Sequence, residues 1–190
     1  IVDAQQTLCQ RFQITRKEAT PPRLLVTAHR RENWESMGYI CTAIRSLLAQ
    51  HPTLQVIFPV HLNPIVRDQI WQGIGAENRV SLVEPMDYLA LQRELSRAAL
   101  VLTDSGGIQE EAAGFGVPCL VMRETTERPE ALEAGIAALV GTQAERITSI
   151  ALPLLCGEVI WQSATGNPFG DGQAAQRISQ DLQLFLQNRS

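Results

Sequence analysis

Residues 99–111 read ALVLTDSGGIQEE. The run 99–103 is short and apolar, the pattern of a strand covered on both faces. Gly106 and Gly107 let the backbone turn sharply, and a helix is predicted from about Gly107. Strand, tight turn and helix form the unit from which doubly wound parallel sheets are built.

The unit recurs on both sides. Upstream, 24–28 (LLVTA) is a strand run, and Ile40, Ala43, Ile44, Leu47 and Leu48 give 38–50 an apolar helical face. Strand 53–60 precedes Asn63-Pro64, a cap with proline at the first helical position, and that helix is predicted to run to about Gly73. Strand 79–85 leads to Asp87, the cap of a helix reaching about Arg97. Downstream, strand 117–122 precedes a helix begun near Pro129 and closed by Gly135, followed by a short strand at 138–140. Helices at about 143–156 and 173–188 complete the pattern, with the loop 163–172 between them. Six strands alternating with helices predict an α/β fold with a doubly wound parallel sheet. The organisation expected is a leading segment 1–20, a Rossmann-like domain 21–162, and a loop plus helix at 163–190.

Composition limits the function classes. Of 190 residues, 45% are apolar and 19% charged, enough to bury a core and unlike disordered or collagenous chains. A net charge of −4 gives no footprint for nucleic acid or an anionic membrane. No apolar run approaches the ~18–20 residues that span a bilayer. Four scattered cysteines (Cys9, Cys41, Cys119, Cys156) and three histidines form no recognised metal spacing, so the cysteines read as small apolar side chains in a reducing, cytoplasmic compartment. The start at Ile1, with no signal peptide, reads as part of a longer protein.

In such a fold ligands bind beyond the carboxyl ends of the strands, where the unusual sequences fall. Ser105, Gly106 and Gly107 would open a helix whose free N–H groups and positive dipole end suit a phosphate or diphosphate. Glu111, one turn on, could accept from ribose hydroxyls. Ser-Gly-Gly alone also reads as a tight turn, with Glu110 and Glu111 on a solvated face. It is neither a Walker loop nor GxGxxG, which argues against a nicotinamide dehydrogenase. His29 opens a turn with Arg30, Arg31 and Glu32, and could hold a phosphate or donate a proton; a surface ion-pair cluster is the alternative. His61, in His-Leu-Asn-Pro, is a weaker candidate of the same kind. Arg128, in the polar loop 123–130, could close the site from one side.

Five ordered motifs, TAHRREN (27–33), PVHLNP (59–64), TDSGGIQEEA (103–112), GVPCLVMRETTERPE (116–130) and NPFGDG (167–172), resemble the non-hydrolysing bacterial UDP-N-acetylglucosamine 2-epimerases over essentially the whole chain. That family has two Rossmann-like domains in a GT-B (glycosyltransferase B-type) arrangement with substrate between them. The resemblance implies that this chain is the C-terminal, UDP-binding half, that residues 1–20 follow the domain crossover, and that the N-terminal domain lies outside it. It assigns Ser105, Gly106 and Gly107 to the diphosphate, Glu111 to the ribose, Arg128 to the nucleotide-sugar, and His29 to departure and return of UDP. Arg30, Glu32 and His61 match positions linked in some members to an allosteric UDP-GlcNAc site. The implied reaction converts UDP-GlcNAc to UDP-ManNAc through 2-acetamidoglucal, for cell-surface polysaccharide synthesis. It needs no metal or redox cofactor, and the full-length form is expected to be a homodimer. The acid–base carboxylates of the family lie in the N-terminal domain, so the isolated chain is expected to be inactive. Met86 and Leu91 are departures, standing where relatives carry other residues that touch the uracil, so base contacts are expected to be weakened without moving the phosphate site. A GT-B glycosyltransferase half and a non-catalytic nucleotide-sugar-binding module are the alternatives.

Overall fold

The computed structural model describes residues 1–161 and 166–187. Its centre is a six-stranded, wholly parallel sheet in the order β3-β2-β1-β4-β5-β6. The strands are β1 (Arg23–Thr27), β2 (Gln55–Pro59), β3 (Val80–Val83), β4 (Leu100–Thr103), β5 (Cys119–Val121) and β6 (Ala137–Leu139). Consecutive strands run outward from β1 to β3, and the chain then returns to the middle to add β4, β5 and β6. The sheet therefore has its switch point between β1 and β4, the place where an open α/β sheet forms a crevice.

Among the described residues eight α-helices connect or flank these strands: α1 (Val2–Phe12), α2 (Met37–Gln50), α3 (Pro64–Ile74), α4 (Tyr88–Arg97), α5 (Gly106–Phe115), α6 (Pro129–Glu133), α7 (Ala144–Leu155) and α8 (Ala174–Gln187). The predicted caps act as such. The Asn63 side chain accepts from the Ile65 N–H at 3.0 Å, and Asp87 Oδ1 accepts from the Ala90 N–H at 2.7 Å. The α5 helix begins at Gly106, one residue before the predicted start, because the Ser105 hydroxyl oxygen already accepts from the Ile108 N–H.

Two apolar layers sandwich the sheet. On one face α2, α3 and α7 press Ile40, Ile44, Leu47, Ile70 and Ile147 against Leu24, Val56 and Phe58. On the other, α4, α5 and α6 bring Leu95, Ile108, Ala112 and Ala131 onto Leu25, Val101 and Val121. Ridges of this kind on both faces explain why the strands carry runs of apolar residues rather than alternation.

Residues 1–20 hold a helix that the sequence reading did not assign. Val2 and Gln5 of α1 are buried, and the Gln5 amide donates to the Gln92 side chain at 2.8 Å and to the Glu111 carbonyl at 2.9 Å. Beyond it, the Lys17 and Ala19 N–H groups donate to the Ser96 and Arg97 carbonyls at the end of α4. At the other end, the predicted loop 163–172 lies partly outside the described residues, as does residue 188 of the predicted last helix. Helix α8 buries none of its residues; Ile178, Leu182 and Leu184 are exposed. Its first turn is held by Asp3, whose carboxylate accepts from the Ala175 N–H at 2.7 Å, while the Gln6 amide donates to the Asp171 carbonyl. Among the described residues no helix is long and apolar enough to cross a membrane.

Ile44 is fully enclosed between α2 and the sheet. Ile44→Ala is expected to lower the unfolding free energy by about 2–5 kcal/mol, read as a lower midpoint in urea with little change in slope.

Candidate nucleotide site at the switch point

The end of the β1–β4 pair is tied together by hydroxyls. Thr27 and Thr103 share a hydrogen bond at 2.6 Å between their side-chain oxygens, and Thr103 Oγ1 accepts from the Ser105 N–H at 3.0 Å. The chain then turns into α5, so the first turn of that helix faces the crevice. With its oxygen accepting from Ile108 N–H, the Ser105 hydroxyl keeps its own proton free to donate outward.

His29, Ser105 and His61 meet at one cavity of about 280 Å³, with Met86, Leu91 and Ile108 among its walls. Most of that lining is apolar and only its rim is polar, which suits a flat heterocycle with an anionic tail. The His29 side chain is half exposed and its Nδ1 lies 3.4 Å from Asp104 Oδ1. His61 accepts from the Asn63 N–H through Nδ1 at 3.0 Å, and its ring stands 6.0 Å from that of Trp34.

Arg128 approaches from the loop before α6. A methyl group at Gly106 would sit 3.9 Å from the Arg128 guanidinium carbon, so this cation hangs over the first turn of α5. It is held by Glu110, which accepts from Nε at 2.5 Å, and by a Thr126 hydroxyl that accepts from the Arg128 N–H and donates to Gln109 at 2.8 Å. The buried Gln109 amide donates in turn to the Ser105 carbonyl at 3.3 Å. Gln109 and Thr126 thus link the glycine turn to the arginine. Sequence spacing gave no sign of this, because the two elements meet only in the fold.

Glu111 is buried beneath α1, and its Oε2 has no hydrogen-bond partner among the described residues. Burial pushes its carboxyl above the ordinary carboxylate range, an effect that the neighbouring Gln92 and Tyr88 side chains partly offset. Tyr88 is itself pushed up to about 12, by burial first and by the Glu111 charge second. An enclosed carboxylate oxygen without a donor costs free energy unless a ligand supplies one.

Arg30 and Glu32 turn away from this cavity. Arg30 pairs with Glu127 at 3.4 Å, and Arg123 joins Glu127 at 2.8 Å and Glu32 at 3.2 Å, so four charges brace the turn after β1 against the loop after β5. Arg123 holds the Glu127 carboxyl down to about 2. Of the three residues grouped as an allosteric set, the fold brings only His61 to the cavity beside His29.

Two residues with no role assigned from sequence stand at the heart of the turn. Asp104 is completely enclosed and accepts from the His29 and Arg30 N–H groups, and Asn33 donates to it and to the Met122 carbonyl. Their presence in the DSGG and HRREN stretches was visible, but not that they meet. Among the described residues no cluster of three histidine, cysteine or acidic side chains could hold a metal ion. Burial raises the Cys41 thiol to about 11 and that of Cys119 to about 12, which leaves both in the thiol form at neutral pH.

Known proteins resemble this chain over most of its length. The family model described as UDP-N-acetylglucosamine 2-epimerase matches residues 1–183. The UDP-N-acetylglucosamine 2-epimerase of Salmonella typhimurium is 46% identical over 165 residues, covering 85% of this chain and 44% of the relative. The Neisseria meningitidis UDP-GlcNAc 2-epimerase, solved with UDP-GlcNAc bound, superposes with a TM-score of 0.86 at 36% identity, over 95% of this chain and 53% of that one. A Francisella tularensis group 1 glycosyltransferase C-terminal domain, at 13% identity and a TM-score of 0.62, shares the fold alone over 91% of this chain and 92% of that one. The chain spans about half the length of the epimerases it matches. With nearly all of its length matched by one family model, the chain belongs to the UDP-N-acetylglucosamine 2-epimerase family.

Proposed function

We propose that this chain is the nucleotide-holding half of a UDP-N-acetylglucosamine 2-epimerase, which interconverts UDP-GlcNAc and UDP-ManNAc. The observation that carries the reading is the first turn of α5 at the switch point, opening beside an apolar cavity and under Arg128. The N–H groups of Gly106 and Gly107, the Ser105 hydroxyl and Arg128 would hold the diphosphate, whose negative charge suits both the helix end and the guanidinium. Glu111 is assigned to the ribose hydroxyls on the family resemblance, although its enclosed carboxyl does not line the cavity. Met86 and Leu91 would flank the uracil in the cavity.

The reaction follows from where charge develops. A base removes the C2 proton, that electron pair forms the C1–C2 double bond, and the pair of the breaking C1–O bond leaves with UDP. 2-Acetamidoglucal remains; UDP adds back at C1 while C2 takes a proton on the opposite face. Departing diphosphate needs donors and positive charge placed in advance, and α5, Arg128 and His29 supply them. The C2 base is proposed to lie in the portion of the longer protein outside this chain, as the family resemblance implies. The diphosphate-holding role also fits a glycosyltransferase half, but the family match favours epimerisation. Arg30 and Glu32 support the turn that carries His29, and the homodimer is proposed for the full-length protein.

Calorimetric titration is expected to detect UDP binding to this chain and none of AMP, with Ser105→Ala and Glu111→Ala each weakening UDP by about tenfold, the size of one lost charge-assisted hydrogen bond. If AMP binds as well as UDP, or neither variant changes affinity, the nucleotide assignment fails. Incubated with UDP-GlcNAc, the chain alone should form no UDP-ManNAc, whereas the full-length protein should form it without releasing free N-acetylmannosamine. Glu111 also sets a pH signature. Its folded-state carboxyl titrates above the unfolded value of about 4.3, so folding binds a proton and wild-type stability falls as pH rises through that interval. The stability of Glu111→Gln relative to wild type should therefore rise from about pH 4 upward and level off once Glu111 is ionised, as read from urea midpoints across pH.

A further inference from the structure

Asp104 lies one residue beyond β4, and its N–H continues the ladder by donating to the Thr27 carbonyl at 3.2 Å. Its side chain is wholly buried, and it is not among the groups that line the nucleotide cavity. A buried carboxylate is costly unless its oxygens are fully engaged. Here Oδ2 accepts from His29 N–H at 3.0 Å, from Arg30 N–H at 2.9 Å and from the Asn33 amide at 3.0 Å, while Oδ1 faces His29 N–H at 3.3 Å and His29 Nδ1 at 3.4 Å.

Every one of the first three partners is a donor. A carboxylate has two acceptor-only oxygens, whereas an asparagine would turn an NH2 group toward at least one of these donors. The fourth partner lies at an ion-pair distance of 3.4 Å, and the same logic favours the proton there: a ring nitrogen that approaches an acceptor-only oxygen is stabilised when it carries hydrogen. Nδ1 of His29 is then the protonated nitrogen, and Nε2 is left for the cavity that His29 lines. The second ring nitrogen of a histidine is commonly set in this way by the partner of the first.

We propose that Asp104 is a positioning residue that fixes the orientation and tautomer of His29, with Nδ1–H inward and Nε2 directed to the diphosphate. The part that concerns the diphosphate rests on the nucleotide reading above. Neutral His29 then presents a lone pair at Nε2. As imidazolium it presents an Nε2–H donor to a diphosphate oxygen, with its positive charge set against the Asp104 carboxylate. The same carboxyl faces backbone and ring, so swinging the ring away gives up its contact with Oδ1.

The test is long-range proton–nitrogen correlation NMR on the 15N-labelled 190-residue chain, with the His29 signals assigned by their loss in His29→Gln. At about pH 8.5, where an ordinary imidazole is neutral, His29 should be predominantly the Nδ1–H tautomer, the opposite of a free histidine side chain. Asp104→Asn should shift it toward Nε2–H. By calorimetry, Asp104→Asn should weaken UDP by about fivefold in the wild-type background and leave it unchanged in His29→Gln, the non-additivity of residues that act through one another. An Nε2–H tautomer in the wild type overturns the proposal, as does an equal loss of UDP affinity in both backgrounds. The wild-type tautomer needs no variant, so it decides even if Asp104→Asn does not fold. Failure of the wild type to bind UDP would remove the nucleotide reading and leave the tautomer to judge Asp104 by itself.

Discussion

The site depends on a topological constraint. A parallel sheet that grows outward in both directions from its middle must send the connections after β1 and β4 to opposite faces, and nothing then covers the end of that strand pair. The Thr27–Thr103 hydrogen bond ties the two strand ends together there, and the residue just beyond β4 is the fully buried Asp104. From this point one chain turns into α5 and the other into the His29 turn. The two elements that frame the nucleotide cavity are thereby fastened to each other before any ligand arrives, a form of preorganisation that spares the binding step an ordering cost.

Around this centre the polar groups fall into two systems that share elements but differ in exposure. The Gln109–Thr126–Arg128 chain is largely shielded and fixes a cation above a helix end. The Arg30–Glu127–Arg123–Glu32 set is more open: the Glu127 and Glu32 side chains are about half exposed, and only Arg123 is well covered. Ion pairs of the second kind contribute little stability individually, and salt screens them. Their effect is geometric, since they hold two loops at a fixed separation.

Much of the fold was legible in the sequence. Apolar runs at 24–28, 53–60 and 99–103 marked covered strands, and Asn63-Pro64 and Asp87 marked helix starts, because short-range pattern and capping chemistry are local properties. Strand ends were drawn a residue or two too long, at 53–60 and 79–85, where β2 is Gln55–Pro59 and β3 is Val80–Val83. Helix α1 was missed because its buried residues, Val2 and Gln5, include a polar one whose burial makes sense only against Gln92 and Glu111. The same holds within the site. Ser105, Gly106, Gly107 and His29 were readable from their positions at strand ends. Asp104, Asn33, Gln109 and Thr126 were not, since each acts through a partner between 17 and 89 residues away.

The clasp between α1 and α8 has a kinetic meaning. Asp3 and Ala175 are 172 residues apart, so their hydrogen bond closes nearly the longest loop the chain can make. Loop-closure entropy places such a contact late in folding, after the sheet and its two apolar layers have formed. Helix α8 buries none of its own residues, so opening it would expose little apolar surface. Residues 3 and 6 therefore act as a fastener for a segment at the far end of the sequence. Losing a few residues near one end of the chain would loosen the helix at the other while leaving the sheet intact.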